Sequence, residues 1–252
     1  MAVNQIASQL KRVVETASPQ TASAVDSAVK FKDAKRVQES ITSGLERKAL
    51  LWLAARMPSW INSDHLTIIG FVAMLMAGVS YFVARWNPVG LLLATFCLAV
   101  NWFGDSLDGT IARVRNCQRP RYGFYVDHII DSFGAVFLMG GLGLSGYVDW
   151  RVATGMLIAF LLLSIESYLA TYTLGVFRLS FAKFGPTEIR ILLAVGNIVL
   201  WLHPDARVPW TSYRILDFGG LVAAIGMLIM AVVAAIWHTQ ALYRQETTIR
   251  SH

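Results

Sequence analysis

The sequence predicts an all-α integral membrane protein, in which six transmembrane helices form a bundle and an amphipathic helix at the membrane surface precedes them. Of its 252 residues, 55% are hydrophobic and only 15% are charged, whereas a soluble domain usually has about 25% charged residues. Long apolar blocks after residue 65 account for the difference. The net charge of +6 comes from basic residues placed around these blocks, which membrane topology explains better than binding to nucleic acid.

The chain before the apolar blocks has two parts. Residues 1–43 are polar, and their composition predicts a flexible or loosely helical segment. Residues 44–61 combine several leucines with basic residues and tryptophans, namely Arg47, Lys48, Trp52, Arg56 and Trp60. That composition predicts an amphipathic helix lying in the membrane interface on the cytoplasmic side. A helix packed on the surface of the bundle is the alternative.

Six apolar blocks form the predicted membrane domain, residues 62–242, which is followed by a tail, residues 243–252. A helix needs about 20 residues to cross a hydrocarbon core of about 30 Å. The predicted spans are 66–86, 88–107, 126–147, 152–175, 187–203 and 217–240. Asn62-Ser63-Asp64 predicts an N-cap for the first span, and Pro88 and Pro186 mark the starts of the second and fifth.

The basic residues are distributed unevenly over the connections between these spans. Eighteen of the 22 Lys and Arg residues fall on one side of a six-span layout, and the other side has Arg85, Arg151, Arg207 and Arg214. Because cytoplasmic connections are enriched in Lys and Arg, we expect both termini and the connection 108–126 to face the cytoplasm.

Four aspartates lie around the connection between the second and third predicted spans. Asp105 and Asp108 are three residues apart at the end of one span, and Asp127 and Asp131 are four apart at the start of the next. Both spacings place a pair on one face of a helix. Two adjacent antiparallel helices would therefore bring four carboxylates together at one depth in the membrane.

The negative charge of such a cluster must be compensated, because each carboxylate near hydrocarbon is costly and like charges repel. Divalent cations supply this compensation, and oxygen ligands without nearby cysteine favour hard ions such as Mg²⁺, Mn²⁺ or Ca²⁺ over zinc. Alternatively, the acids cap helix ends or pair with the basic residues of the connection, which are Arg113, Arg115, Arg119 and Arg121. His128 points away from the second acid pair, and we interpret it as a polar packing residue.

Small residues and one arginine accompany the acids. Gly109 and Gly123 leave the backbone open to a ligand. Ala112 is small, and Arg113 offers a planar donor fork to a phosphate. Together with bound cations, these residues describe a diphosphate site, where metal ions clamp the oxygens and neutralise charge that develops on a leaving group.

This arrangement resembles the signature of a known family. The pattern Asp105-x-x-Asp108-Gly109-x-x-Ala112-Arg113, nine residues, Gly123-x-x-x-Asp127-x-x-x-Asp131 is similar to that of the CDP-alcohol phosphotransferases. The first-span motif of that family, Pro-Asn-x-Leu-Thr, corresponds here to Ser63-Asp64-His65-Leu66-Thr67, which differs at its first two positions.

The resemblance implies a homodimeric transferase of phospholipid synthesis that moves a substituted phosphate group from a CDP-linked donor to an alcohol and releases CMP. Its implied cofactors are Mg²⁺ or Mn²⁺, as two divalent ions. Metal binding is implied for Asp105, Asp108, Asp127 and Asp131, of which Asp131 is also the implied general base. The cytidine diphosphate site is implied to be lined by Gly109, Ala112, Arg113 and Gly123.

The four aspartates do not distinguish between the two branches of this family. One branch uses CDP-diacylglycerol and a water-soluble alcohol, and the other transfers the headgroup of CDP-ethanolamine or CDP-choline to diacylglycerol. Glu166 lies in an apolar span, so we predict that it faces the cavity and binds a cationic headgroup, with a cation–π contact from Tyr168. A hydrogen bond to a neighbouring span is the alternative.

Glu166-Ser167-Tyr168 and Gly185-Pro186-Thr187-Glu188 are similar to the Glu-x-Tyr and Gly-Pro-Thr-Glu elements of the choline/ethanolamine phosphotransferase branch. The eukaryotic members of that branch usually have ten spans, whereas six are visible here. Three basic residues nearby either attract an anionic phosphate or only determine topology, and these are Arg178, Lys183 and Arg190.

Two other classes of protein also have acids in a membrane. A divalent-cation transporter needs polar groups across the whole bilayer, but here the acids stop at one border. A scaffolding protein gives no reason for the spacing of Gly, Arg and Asp. We therefore expect a multi-pass membrane enzyme with its active site on the cytoplasmic side.

Overall fold

The computed structural model describes residues 35–37, 43–174, 176–178, 186–209 and 213–249. They form β1 (Lys35–Val37), α1 (Ser43–Arg56), α2 (Ser63–Ala84), α3 (Val89–Val114), α4 (Pro120–Leu144), α5 (Trp150–Leu174), β2 (Val176–Arg178), α6 (Pro186–Leu202) and α7 (Ile215–Ile249). β1 and β2 pair in parallel, which the sequence did not predict. Apart from this short pair, the all-α prediction is confirmed. Lys183 and most of segment 1–43 lie outside the described residues.

Five of the described helices, α2, α3, α4, α5 and α7, are long and apolar enough to cross a bilayer. The protein is thus a multi-pass membrane protein, but the predicted number of six spans is not confirmed. α6 has 17 residues, whereas a crossing helix usually needs about 20. α6 corresponds to the fifth apolar block, and the shortness of that block explains why α6 is shorter than the other five predicted spans.

Local sequence explains several helix boundaries. The predicted N-cap of α2 is confirmed, because Asn62 Oδ1 accepts a hydrogen bond from His65 N–H and the His65 ring accepts one from Asn62 N–H. α1 ends at Arg56 rather than at residue 61 as predicted, since Pro58 disfavours helical geometry in the residue before it. α4 begins earlier than predicted, at Pro120, where proline suits the first helical position.

Two helices continue past the apolar blocks that predicted them. α3 extends to Val114 and therefore includes every residue of the first half of the aspartate signature. α7 extends to Ile249, into the segment predicted as a separate tail. In both cases the apolar block covers only part of the helix, which continues into more polar sequence.

α2 packs against both α3 and α4. α1 and α6 pack on α3, α5 packs on α4, and α7 packs on α5. α3 and α4, which carry the aspartates, make few direct backbone contacts at most. Direct packing between these two helices is therefore limited, and α2 contacts both of them.

Glycines allow α2 to approach its neighbours closely. A Cβ at Gly104 on α3 would meet the carbonyl oxygen of Leu66 at 2.6 Å, and a Cβ at Gly141 on α4 would overlap the carbonyl of Gly78. Small residues at such contacts are typical of packing between membrane helices. They fix α3 and α4 relative to α2, and hence fix the two halves of the acidic cluster.

α1 packs on the bundle, the arrangement given above as the alternative for this helix. Leu50 and Ala54 are buried against Leu66, Leu107 and Ile111. On its other face, Trp52 is 55% exposed, and Arg47 and Lys48 are exposed as well. The helix therefore has one face on the site-bearing end of α3 and one face that is open to the surroundings.

Polar side chains join α6 to the opposite end of the bundle. The hydroxyl of Tyr81 on α2 donates to Asn197 Oδ1 on α6 at 2.9 Å, and Asn197 Nδ2 donates to Thr95 Oγ1 on α3 at 3.1 Å. Tyr81 and Asn197 are fully buried, so each hydrogen bond replaces a contact that water would otherwise make. Asn197 thus joins α6 to both α2 and α3.

Candidate active site

The connection between α3 and α4 brings their aspartate-bearing ends to one end of the bundle. Arg115 donates hydrogen bonds to the backbone carbonyls of Met57, Pro58 and Ile61. Asn116 has φ +52°, a left-handed conformation that asparagine adopts more easily than most residues. Arg119 forms an ion pair with Asp64. These two arginines of the connection therefore hold the loop and do not neutralise the acidic signature.

Three of the four predicted metal ligands converge. Asp105 on α3 and Asp127 and Asp131 on α4 each offer a carboxylate oxygen, and these oxygens lie within 4.8 Å of one another. All three side chains are partly buried. Carboxylate oxygens at such distances repel one another, a bound cation would offset this repulsion, and an all-oxygen set fits a hard divalent ion. The chemistry of the donor set is therefore that of a divalent-cation site.

Asp108 does not belong to this group of three. Its Oδ2 accepts a hydrogen bond from Thr67 Oγ1 at 2.6 Å, and its Oδ1 accepts one from the backbone N–H of Gly109. Thr67 is the last residue of the first-span motif and links α2 to the site. A metal-binding role for Asp108 stays a prediction.

Arg190 on α6 supplies a positive charge to the cluster. Its Nη2 donates to Oδ2 of Asp105 at 2.5 Å, and the two side chains are 14% and 23% exposed. From the sequence, Arg190 was expected near the site either as a phosphate-binding residue or as a topology determinant, and its contact with Asp105 was not predicted. The only signal was its position just inside the helix start that Pro186 marks.

The residues predicted to line the cytidine diphosphate site lie next to the cluster on α3 and α4. A Cβ at Gly109 would come within 3.4 Å of Arg113 Nη1, whereas a Cβ at Gly123 would meet nothing within 4 Å. Arg113 is exposed, and its Nη2 donates to Thr110 Oγ1 at 3.0 Å. Ala112 is partly buried. Substrate binding by these four residues stays a prediction.

Glu166 on α5 is hydrogen-bonded to a neighbouring helix. Its Oε1 lies 2.5 Å from Nδ1 of His238 on α7, and its side chain is 11% exposed. Oε2 is buried without a hydrogen-bond partner among the described residues. The structure thus shows the arrangement given above as the alternative for Glu166, and the role of this residue in substrate binding stays a prediction.

Aromatic rings cover one side of the cluster. The His128 ring stacks on Phe124 with centroids 4.1 Å apart and meets Tyr168 on α5 edge-on at 4.7 Å. His128 Nδ1 lies 3.6 Å from Oδ2 of Asp127. His128 therefore packs between α4 and α5, as interpreted from the sequence, but it also touches one of the clustered acids.

Glu46 on α1 was not singled out by the sequence. Its Oε1 accepts hydrogen bonds from Trp102 Nε1 at 2.9 Å, from Ser106 Oγ at 3.3 Å and from Thr187 Oγ1 at 3.0 Å. A single glutamate in a surface helix gives no sequence signal for such a role. Its partners lie on α3 and α6, beside Asp105 and Arg190.

The fold and this site define a multi-pass membrane protein with a carboxylate cluster suited to a divalent cation where its helices converge. Residues 60–237 match the family model of the CDP-alcohol phosphatidyltransferases, and the chain belongs to this family. It is therefore a phosphotransferase of phospholipid synthesis. Family membership decides against the cation transporter and the scaffolding protein.

Similar proteins have names that refer to different products and headgroups. The chain is 34% identical to archaetidylinositol phosphate synthase of Pyrococcus horikoshii over 163 residues, which are 61% of this chain and 80% of that protein. It is 25% identical to cholinephosphotransferase 1 of Danio rerio over 66% of this chain but 46% of that protein. A crystal structure of Mycobacterium tuberculosis phosphatidylinositol phosphate synthase with CDP-DAG bound has a TM-score of 0.45 and 20% identity, over 81% of this chain and 92% of that one.

Proposed function

We propose that the protein transfers a substituted phosphate group from a CDP-linked donor to an acceptor alcohol and releases CMP. The observation that carries this proposal is the convergence of Asp105, Asp127 and Asp131 beside Arg190. A CDP-linked donor is an anionic diphosphate, and its cleavage moves negative charge onto CMP. A site that combines ligands for a hard cation with a guanidinium is suited both to the intact diphosphate and to the charge that develops on CMP.

Asp105, Asp127 and Asp131 would hold Mg²⁺ or Mn²⁺, and Asp108 would join them with its position fixed by Thr67. When bound, the divalent ions neutralise the diphosphate oxygens and the charge that develops on the leaving group. Arg113 is exposed next to the cluster and would donate to a phosphate of the donor. Gly109, Ala112 and Gly123 would leave room for the nucleotide against α3 and α4.

Asp131 is the proposed general base. It accepts the proton of the acceptor hydroxyl while the hydroxyl oxygen forms a bond to phosphorus and the bond from phosphorus to the CMP oxygen breaks. Its position within the three-carboxylate cluster supports this assignment, because the proton is removed next to the reacting phosphate. The clustered acids thus have unequal roles, in which Asp105 and Asp127 bind metal and Asp131 also moves a proton.

For the substrates, we propose a CDP-linked lipid as donor and a phosphorylated polyol as acceptor. Arg190 supports an anionic acceptor, since its guanidinium lies at the cluster and is suited to a phosphate. The engagement of Glu166 by His238 makes Glu166 less suited to a cationic headgroup. The name of the Pyrococcus horikoshii relative, archaetidylinositol phosphate synthase, supports the same choice.

A CDP-amino-alcohol donor with a diacylglycerol acceptor is the second candidate. The cluster of Phe124, His128 and Tyr168 beside Asp127 favours it, because aromatic faces attract quaternary ammonium groups. The relative named cholinephosphotransferase 1 supports this chemistry as well.

We further propose that the active site faces the cytoplasm, that the enzyme is a homodimer, and that residues 62–242 form its catalytic domain. The unequal distribution of Lys and Arg supports the orientation. The helix α1 would then lie at the cytoplasmic membrane interface, where the exposed Trp52 suits the depth of the lipid headgroups.

The test is release of CMP by purified protein in detergent or liposomes with Mg²⁺ or Mn²⁺. CDP-diacylglycerol, CDP-ethanolamine and CDP-choline are the donors, and inositol phosphate, glycerol phosphate, serine and diacylglycerol are the acceptors. We expect CMP from CDP-diacylglycerol with inositol phosphate, and loss of this activity on chelation of divalent ions. CMP from CDP-choline with diacylglycerol would favour the second candidate, and no CMP from any pair would overturn the proposed function.

A further inference from the structure

Glu46 connects the surface helix α1 to two helices of the site. One of its oxygens accepts hydrogen bonds from Trp102 and Ser106 on α3 and from Thr187 on α6. Hydrogen bonds to a charged acceptor are stronger than neutral ones. A single carboxylate therefore holds together α3 and α6, which come from different parts of the chain.

The three donors lie next to the residues that form the acidic site. Ser106 follows Asp105 directly in the sequence. Thr187 precedes Arg190 by three residues, so both lie on one side of α6. Movement of the first turn of α6 relative to α3 would therefore change the position of Arg190 relative to Asp105, a contact of 2.5 Å.

We propose that Glu46 is a positioning residue for the transfer reaction. It fixes the first turn of α6 against α3 and thereby keeps the guanidinium of Arg190 at the carboxylate cluster. Its effect on turnover rests on the proposed function, whereas its effect on the α1–α6 geometry does not. α1 is then part of the active-site scaffold as well as a helix at the membrane surface.

Removal of the carboxylate tests this proposal. Because misplacement of a reacting group by about 1 Å can cost up to about 100-fold in rate, we expect Glu46→Ala to lower kcat about tenfold. Glu46→Gln should stay within about threefold of the parent, because the amide oxygen still accepts hydrogen bonds. The KM of the CDP donor should change little, since the proposed donor residues lie on α3 and α4. Glu246→Ala, which removes an exposed glutamate of α7, is the matched control and should leave kcat unchanged.

A double-mutant cycle separates positioning from a general loss of folded enzyme. If Glu46 acts through Arg190, Glu46→Ala should lower kcat by no more than about twofold when Arg190→Ala is already present, because the effects of coupled residues are not additive. A general structural defect would instead multiply the two losses. Multiplied losses would overturn the proposal, as would parental kcat in Glu46→Ala.

A distance measurement tests the geometry without any turnover. In a protein with both native cysteines replaced, spin labels at Lys48 on α1 and Ile189 on α6, two exposed positions, report the separation of these helices. We expect the distance distribution to broaden in Glu46→Ala and to return to the parental width in Glu46→Gln. If the parent releases no CMP from any donor, the proposed function fails, and the distance measurement alone then tests whether Glu46 fixes the position of α6. An unchanged distribution in Glu46→Ala would overturn the inference.

Discussion

The acids of the site differ in what surrounds each side chain. Asp105 is paired with Arg190, and Asp108 is held by Thr67. Asp127 lies against the ring of His128. Substitutions of chemically identical groups should therefore have different consequences, and each can be followed separately.

Asp131→Asn should abolish transfer while leaving the protein folded and partly able to bind nucleotide in the presence of metal. An amide keeps the shape of the side chain and one metal-binding oxygen, but it cannot accept the proton of the acceptor hydroxyl. Loss of a general base typically lowers the rate by about 10²–10⁴-fold. The measurements are kcat for CMP release and titration with a CDP donor. Asp205→Asn, at an exposed position after α6, is the control. A near-parental kcat in Asp131→Asn would show that Asp131 is not the general base.

The pair of Glu166 and His238 should respond differently to single and double substitution. His238→Leu leaves a buried carboxylate of α5 without its partner, which we expect to destabilise the protein by about 3 kcal/mol. The double variant Glu166→Leu with His238→Leu removes both polar groups from an apolar region and should recover most of that loss. Thermal unfolding in one detergent measures both. A double variant no more stable than His238→Leu would contradict this account. Separately, a raised KM for the CDP donor or the acceptor in Glu166→Gln would support a substrate-binding role for Glu166.

Residue spacing predicted part of the site, because it reports on side chains that share one helix. Asp105, Asp127 and Asp131 were recognised in this way, and the structure brings them together. The contact of Arg190 with Asp105 and the role of Glu46 were not predicted, because these contacts join distant parts of the chain, 85 residues apart for Arg190 with Asp105 and 141 for Glu46 with Thr187. Helical periodicity carries no information about which face of α6 meets α3.

At the scale of the helices, α2 determines where the two halves of the site stand. Caps and prolines predicted the starts of α2 and α6, because they act through local backbone geometry. The arrangement of α3 and α4 on either side of α2 was not predicted, since all three helices are apolar over most of their surface. Close contacts between glycines, rather than amphipathic stripes, decide which membrane helices meet.

Gly141→Ala should destabilise the contact between α2 and α4, because the added Cβ overlaps the carbonyl of Gly78. Overpacking of this kind costs about 1–3 kcal/mol, and displacement of α4 should also lower turnover. Gly140→Ala is a matched control on the same helix, since a Cβ there meets nothing within 4 Å. It should be neutral or slightly stabilising, because alanine favours helix. Thermal unfolding of the two variants compares them directly, and equal stabilities would contradict the close-packing account.

At the scale of the whole molecule, orientation in the membrane is open to a direct test through a native residue. Of the two cysteines, Cys117 is exposed in the α3–α4 connection and Cys97 is partly buried. In a Cys97→Ala background, a membrane-impermeant maleimide should not label Cys117 in sealed right-side-out vesicles but should label it after permeabilisation. A reporter cysteine at Asp205, with Cys117 replaced, should show the opposite behaviour. Labelling of Cys117 in intact vesicles would reverse the proposed orientation.

The short connection between α3 and α4 also affects how the protein is assembled. The three clustered acids belong to consecutive helices, so they can meet as soon as this helical hairpin has entered the membrane. Arg190 is synthesised 85 residues after Asp105 and reaches the cluster only when α6 is in place. During insertion, the hairpin therefore carries repelling carboxylates next to hydrocarbon, and we expect ions from solution to balance them first. If the proposed metal ions bind these acids, we expect the supply of divalent cations to affect insertion of the hairpin as well as turnover.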